Sequence, residues 1–272
     1  MAKALPARAT SASAEMGLSG DIAVSIGNAN FHNTDDSILD ESRSAQALSG
    51  VVGLDFGDWH GHIDFSIGHR DQNGNDYDSY APGQYSAAGL HLGRNFSNIY
   101  GGAFYGMNRF QAESAITDNG TAMGHLYGVE VEVDLNDQIT VYSQLGRADM
   151  VGDGSDTAFI GNFTKVGGTY SAGDWSFGAS YERGRSDNVF EDSGDWGEYR
   201  TLTIGGEYQF HPRLIATATY ETAKFVANTE DAASEDIFSI GIRVPFGTQT
   251  KKTNLTTSYN PGLAAAWAEA LD

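Results

Sequence analysis

The stretch Trp59-His60-Gly61-His62-Ile63-Asp64-Phe65-Ser66-Ile67 sorts its residues by parity. Trp59, Ile63, Phe65 and Ile67 fall on one face, and His60, His62, Asp64 and Ser66 on the other. Successive side chains of an extended backbone point to opposite sides, so a period of two marks a strand with one apolar face. Just upstream, Gly57-Asp58 separates this strand from another at 44–56, so the two meet in a two-residue turn.

The same alternation recurs along the chain. Tyr127, Val129, Val131, Val133 and Leu135 alternate with Gly128, Glu130, Glu132 and Asp134. Leu202, Ile204, Tyr208 and Phe210 oppose Thr201, Thr203, Glu207 and Gln209, and Phe238, Ile240, Ile242, Val244 and Phe246 oppose Ser239, Gly241 and Arg243. Apolar spacings of three and four, which a helix needs, are missing from these segments. Twelve strands are predicted, at 16–28, 44–56, 59–70, 85–95, 99–110, 124–135, 138–148, 157–172, 175–183, 199–210, 213–221 and 236–246. Most have about the length of a tilted strand that crosses a bilayer.

The connections orient the array. Gly57-Asp58, Phe96-Ser97-Asn98, Asn136-Asp137, Gly173-Asp174 and His211-Pro212 are short. The others, at 29–43, 71–84, 111–123, 149–156, 184–198 and 222–235, are long and polar. Long and short alternate throughout, as in an antiparallel transmembrane β-barrel with short periplasmic turns and long external loops. Aromatic residues mark two interfaces. Phe56, Trp59, Tyr170, Trp175, Phe177, Tyr208, Phe210 and Phe246 lie beside the short turns. Tyr105, Phe110, Tyr127, Tyr181, Tyr199, Tyr220 and Phe238 lie nearer the long loops.

Composition agrees with an all-β chain of 272 residues. Glycine is frequent at 34 residues, aromatics reach 11%, and proline is limited to 5. No run reaches the roughly 18 apolar residues that a spanning helix requires. There is no cysteine, so disulfides and thiolate metal sites are excluded. The net charge of −20 disfavours nucleic-acid phosphates and favours cations. At the N-terminus, Ala12-Ser13-Ala14 follows Lys3 and Arg8 in the manner of an export cleavage site, so residues 1–14 read as a residual export signal or a disordered start. The barrel then spans 15–246. Residues 247–272 form a polar tail placed in the periplasm, where Asn260-Pro261 can begin a short helix with Leu263, Trp267 and Leu271 on one face.

The opening strand Gly17-Leu18-Ser19-Gly20-Asp21 and the closing strand Ser239-Ile240-Gly241-Ile242-Arg243-Val244-Pro245-Phe246 resemble the first and last strands of Gram-negative porins, the proteobacterial general porins in particular. The likeness runs loosely over 16–246. It implies a bacterial outer-membrane channel for passive diffusion of small hydrophilic solutes, either single or as a homo-oligomer. Such porins usually have sixteen strands and end on the aromatic residue that is Phe246 here.

With the apolar face toward lipid, the polar face lines the lumen. Asp64, Glu130, Glu132 and Glu207 are the expected selectivity residues, opposed by Lys165 and Arg243, and an acid-rich lumen prefers cations. No cofactor is required. His60 and His62 share the Asp64 face, and His91 falls opposite them if strands three and four pair, a spacing a transition metal could use. The acidic loops (Asp35, Asp36, Asp40 and Glu41; Asp149, Asp153 and Asp156; Asp187, Glu191, Asp192 and Asp195) suit divalent cations bridging to lipopolysaccharide. The remaining alternatives are a structural or adhesive barrel and a lipid-modifying barrel enzyme. For the last, His125 and Ser143 lie roughly 16 Å apart along their strands. His69 and Ser86 have no acidic residue beside them to orient the imidazole. An enzyme is therefore not expected.

Overall fold

The computed structural model describes residues 17–33, 41–70, 82–112, 121–152, 158–187, 189, 195–228, 231–247 and 254–271. Its strands are β1 (Gly17–Asn33), β2 (Glu41–Phe56), β3 (Trp59–Arg70), β4 (Pro82–Phe96), β5 (Ile99–Ala112) and β6 (Thr121–Asp134). They continue as β7 (Ile139–Gly152), β8 (Ala158–Ala172), β9 (Trp175–Ser186), β10 (Gly197–His211), β11 (Leu214–Ala227) and β12 (Asp231–Gly247). Each strand pairs antiparallel with its neighbours in sequence, and β1 closes on β12 through a register that runs from Ser19↔Gly247 to Asn33↔Ala233. All twelve predicted strands are present. Several run further at the loop end than alternation suggests, as β1 does to Asn33. There Asn28, Asn30 and His32 take the outward parity that Ile22, Val24 and Ile26 hold earlier in the strand, so the ladder continues where the sequence signal has faded.

Closure follows from the solvent. Hydrocarbon offers no hydrogen-bond partner, and each unsatisfied backbone group costs several kcal/mol there, so no strand edge can stay open. The outward face suits the same medium: Ile22, Val24 and Ile26 on β1, Leu90 and Leu92 on β4, and Ile240, Ile242 and Val244 on β12 are all exposed. The aromatics at the short turns, Trp59, Tyr170, Trp175, Phe177, Tyr208 and Phe210 among them, are exposed as an interfacial belt. At the other end, Tyr105, Tyr127, Tyr181, Tyr220 and Phe238 do the same.

Phe110 and Tyr199 depart from that belt. Both point inward and are almost wholly buried. They join Phe31, Phe104, Leu126, Met150, Phe159, Phe163 and Phe225 in an apolar lining of the external half of the barrel. An apolar lumen wall needs something to cover it, and the C-terminal segment does so. Helix α1 (Asn260–Leu271) lies inside the barrel against β4–β8, β10 and β11, rather than in the periplasm where sequence reading placed the tail. Leu263 through Ala268 are buried on every side, because a helix within a barrel meets wall in all directions. Trp267 is 1% exposed and packs 6.3 Å from the Phe31 ring. At Gly262 the helix comes so near β5 that a Cβ would stand 3.0 Å from Phe110 and 3.4 Å from Asn108.

Truncation of Trp267 tests this packing. Trp267→Ala is expected to weaken docking of the tail by about 3–5 kcal/mol, the usual cost of emptying a buried aromatic site. Limited proteolysis should then remove the tail while the barrel keeps its heat-modifiable mobility. A tail as resistant as in the parent chain would contradict the placement of α1.

Candidate functional site in the barrel lumen

The extended segment 254–259 leads into α1 through the middle of the lumen, and nearly every residue finds a partner on the wall. Asn254 Nδ2 donates to Glu132 Oε2 at 3.1 Å, and the Leu255 carbonyl accepts from His62 Nε2 at 2.8 Å. Thr257 donates its N–H to both oxygens of Asp64 at 3.1 Å and its hydroxyl to Asp64 Oδ1 at 3.0 Å. The Ser258 hydroxyl donates to Glu182 Oε1 at 2.6 Å while its carbonyl accepts from Asn108 Nδ2 at 2.8 Å. Tyr259 donates to Glu221, and Asn260 Nδ2 to Glu182 Oε2 at 3.0 Å. Carboxylates of the wall thus hold a hydroxyl- and amide-rich thread, which suits acceptor-only groups facing donors.

Gly89 makes room for this contact. A Cβ there would fall 1.7 Å from Thr257 Oγ1, so no larger residue fits while Thr257 is seated.

Around Thr257 sits a buried polar cluster of the lumen. His91 donates from Nε2 to Asp64 Oδ1 at 2.7 Å and from Nδ1 to Glu130 Oε2 at 2.8 Å. With a carboxylate at each nitrogen the ring holds both protons and carries the charge that balances its neighbours. Glu130 also accepts from Gln144 Nε2 at 3.0 Å and from the Tyr100 hydroxyl at 3.1 Å. The β3–β4 register places His62 opposite His91, and their rings stack at 4.2 Å with 9° between planes. One ligand atom from each of His62, Asp64 and His91 lies within 4.8 Å of the others. Parallel stacked rings direct their in-plane nitrogens side by side, so a shared metal would require one ring to leave the stack. His60 lies beside His62, with ring centroids 5.4 Å apart, and its Nδ1 is 2.7 Å from Asp55 Oδ1.

Below the thread, toward the short turns, the lumen is open. A cavity of about 1690 Å³ reaches from Asn254 and Thr256 to the mouth at Ser97, Asn98 and Gly173. Lys165, Glu207, Asp21 and Arg243 line it. Arg243 is paired with Glu207 and lies 3.5 Å from Asp21, which bridges β1, β10 and β12. The six expected lumen residues therefore lie on the inner wall, but in two groups. Asp64, Glu130 and Glu132 meet the thread, whereas Glu207, Arg243 and Lys165 face the open cavity. Arg200, whose strand also carries Glu207, faces outward. Glu182, Glu221 and Thr257 carry as much of the site as the residues singled out from sequence. Glu182 and Glu221 fall on the inward parity of their strands, and the signal for Thr257 was the run Asn254 to Asn260, in which side-chain hydrogen-bond donors stand at nearly every position before an apolar helix.

His91→Leu removes the buried cation and leaves Asp64 and Glu130 unbalanced, which should cost about 3–5 kcal/mol. The readout is a lowered urea midpoint with an unchanged slope, partly restored when Asp64→Asn and Glu130→Gln are added. An unchanged midpoint would show that His91 does not balance the pair.

The chain is similar to several solved structures at low identity. The translocator domain of the autotransporter NalP from Neisseria meningitidis is 13% identical, with a TM-score of 0.49 over 85% of this chain and 88% of that one. The CymD monoaromatic hydrocarbon channel is 11% identical, with a TM-score of 0.48 over 85% and 88%. Outer-membrane expressed OmpT of Vibrio cholerae is 12% identical, with a TM-score of 0.47 over 87% and 99%. No curated protein matches the chain in sequence. The sequence profile of the Gram-negative porin family matches residues 8–228, which is most of the chain. With its closed twelve-strand barrel, its apolar outer belt and a cavity lined by charged groups, the chain belongs to the Gram-negative porin family of the bacterial outer membrane.

Proposed function

We propose that the protein is a cation-preferring diffusion channel for small hydrophilic solutes whose lumen is closed by its own C-terminal segment. The observation that carries this reading is the division of the lumen. A polar cavity open at the periplasmic mouth ends at the thread 254–260 and the helix beyond it. A barrel built only as a scaffold has no need of an open half-channel lined by charged groups.

Cation preference rests on the inner-wall charge. Asp21, Asp55, Asp64, Glu130, Glu132, Asp134, Glu182, Glu207, Glu221 and Glu235 stand against Arg43, Arg70, Lys165, Arg243 and the cationic ring of His91. Arg70 is spent on Glu235 at 2.8 Å, deep in the wall. A surplus of carboxylates in a narrow passage attracts cations and repels anions. Solute passage requires the thread to leave Asp64 and Glu182, and its many exchangeable hydrogen bonds suit a segment that detaches into water. No catalytic step belongs to this reading. On the lipid face, Ser86 stands opposite Ile67 rather than His69.

Planar-bilayer recording tests the proposal. The full chain should be closed with rare openings, and deletion of residues 254–272 should give steady conductance with a reversal potential on the cation side. Gly89→Val, which denies Thr257 its seat, should raise open time without shortening the chain. A silent deletion variant would favour the non-conducting structural barrel. An anion-side reversal potential would remove the selectivity assignment alone.

A further inference from the structure

The acidic chain concentrates its cations on one outer surface. Arg109, Arg147, Arg183, Arg185, Arg200 and Lys224 all face outward on the external halves of β5, β7 and β9–β11. Among the described residues, no Lys or Arg faces outward on the external halves of β12 or β1–β4. The other outward cation on a strand, Arg94, stands at the periplasmic end with Asp58 at 3.0 Å.

The register makes a row of three of them. Arg200 pairs directly with Arg183 on one side and with Lys224 on the other. Like charges opposite one another on adjacent strands repel at a Cβ separation of about 5 Å. Glu198 relieves part of this, since it pairs with both Arg183 and Arg200. Arg185 stands beside the row with its guanidinium 5.1 Å from the Trp196 ring centroid and its Nε 3.1 Å from Asp187. Arg147 lies further along the wall, 3.2 Å from Asp149. These carboxylates are fewer than the cations, and the guanidinium groups of Arg183 and Arg200 remain more than half exposed.

The height of the row specifies the ligand. Tyr181 is two residues nearer the membrane centre than Arg183 on the same face, roughly 7 Å along the strand. Tyr220 stands four residues inward of Lys224, and Tyr127 pairs with Arg147. These exposed tyrosines mark the outer interface, where aromatic girdles lie at headgroup depth. The cations just beyond them meet headgroup phosphates, which guanidinium forks bind in bidentate fashion.

We propose that the outer face of β9–β11 is a binding site for a phosphorylated outer-leaflet lipid of the lipid A type, held through its phosphates by Arg183, Arg200 and Lys224, with Arg185 and Arg147 at its edge. This reading differs from divalent bridging at the acidic loops. Of those loop carboxylates, Asp149 and Asp187 are already engaged by arginines. Asp35, Asp36, Asp40, Asp153, Asp156, Glu191 and Asp192 lie outside the described residues. The site is independent of conduction, so it stands or falls apart from the channel reading.

The test is lipid binding to the purified full-length protein in detergent, comparing diphosphorylated with dephosphorylated lipid A. The triple variant Arg183→Gln/Arg200→Gln/Lys224→Gln should bind the phosphorylated lipid at least about 10-fold more weakly, since it loses several charge-assisted hydrogen bonds. The parent chain should bind dephosphorylated lipid no better than the variant binds either form. Arg183→Lys/Arg200→Lys should recover part of the affinity, and Arg94→Gln should lose none. Heat-modifiable mobility establishes that each variant is folded. Equal affinity of parent and triple variant, or of the two lipids, would overturn the site. Displacement of the lipid by millimolar inorganic phosphate would reassign it to free phosphate.

Discussion

Everything in this structure depends on the need to satisfy backbone hydrogen bonds in a medium that offers none. A sheet in hydrocarbon must close on itself, and twelve strands close into a ring whose interior is too wide for wall side chains alone to fill. The chain meets that second problem in two ways. Toward the periplasm the wall is polar and the space is left open. Toward the outside the wall is apolar, and helix α1 occupies it. The division between the halves is drawn by which residues take the inward parity positions. Asp21, Lys165 and Glu207 face one half, and Phe110, Phe159 and Phe225 the other.

The contact between the halves has a specific chemistry. A carboxylate on the wall is costly to bury unless donors surround it, and the thread supplies them from Thr257, Ser258 and Asn260. Asp64 and Glu130 further share the cationic ring of His91. The wall and the tail therefore need each other: without the thread Asp64 and Glu182 lose donors, and without the wall the thread has unsatisfied amides. Such mutual dependence holds the plug firmly in place yet leaves an alternative in water, where all of these groups can be hydrated. Charge is divided on the outside as well, with an acid-rich lumen and cations gathered on the β5–β11 face at headgroup depth.

The barrel was almost wholly legible in the sequence because parity and turn length are local signals that repeat twelve times. Gly57-Asp58 and Gly173-Asp174 fix their hairpins with no knowledge of the rest of the chain. The lumen side of Asp64, Glu130 and Glu207 followed from parity alone. The plug was not legible to the same degree. Leu263, Trp267 and Leu271 announce a helix, but its location depends on contacts with wall residues more than a hundred positions away. Phe110 and Tyr199 were misplaced for the same reason: an aromatic ring at a strand end reads as interfacial until a helix is known to stand inside.

The central claim is that the tail sits within the pore and closes it, and the absence of native cysteine allows a direct test. A chain carrying Asn108→Cys and Gly262→Cys places two thiols where wall and plug meet, since a Cβ at position 262 stands 3.4 Å from that of Asn108, close to disulfide range. The same bilayer is recorded with reductant present and then after oxidation. Openings that occur under reducing conditions should vanish once the crosslink forms and return when it is reduced. Unchanged conductance in a chain whose altered mobility proves the crosslink would contradict the account, because the pore would then conduct with its tail fixed in place.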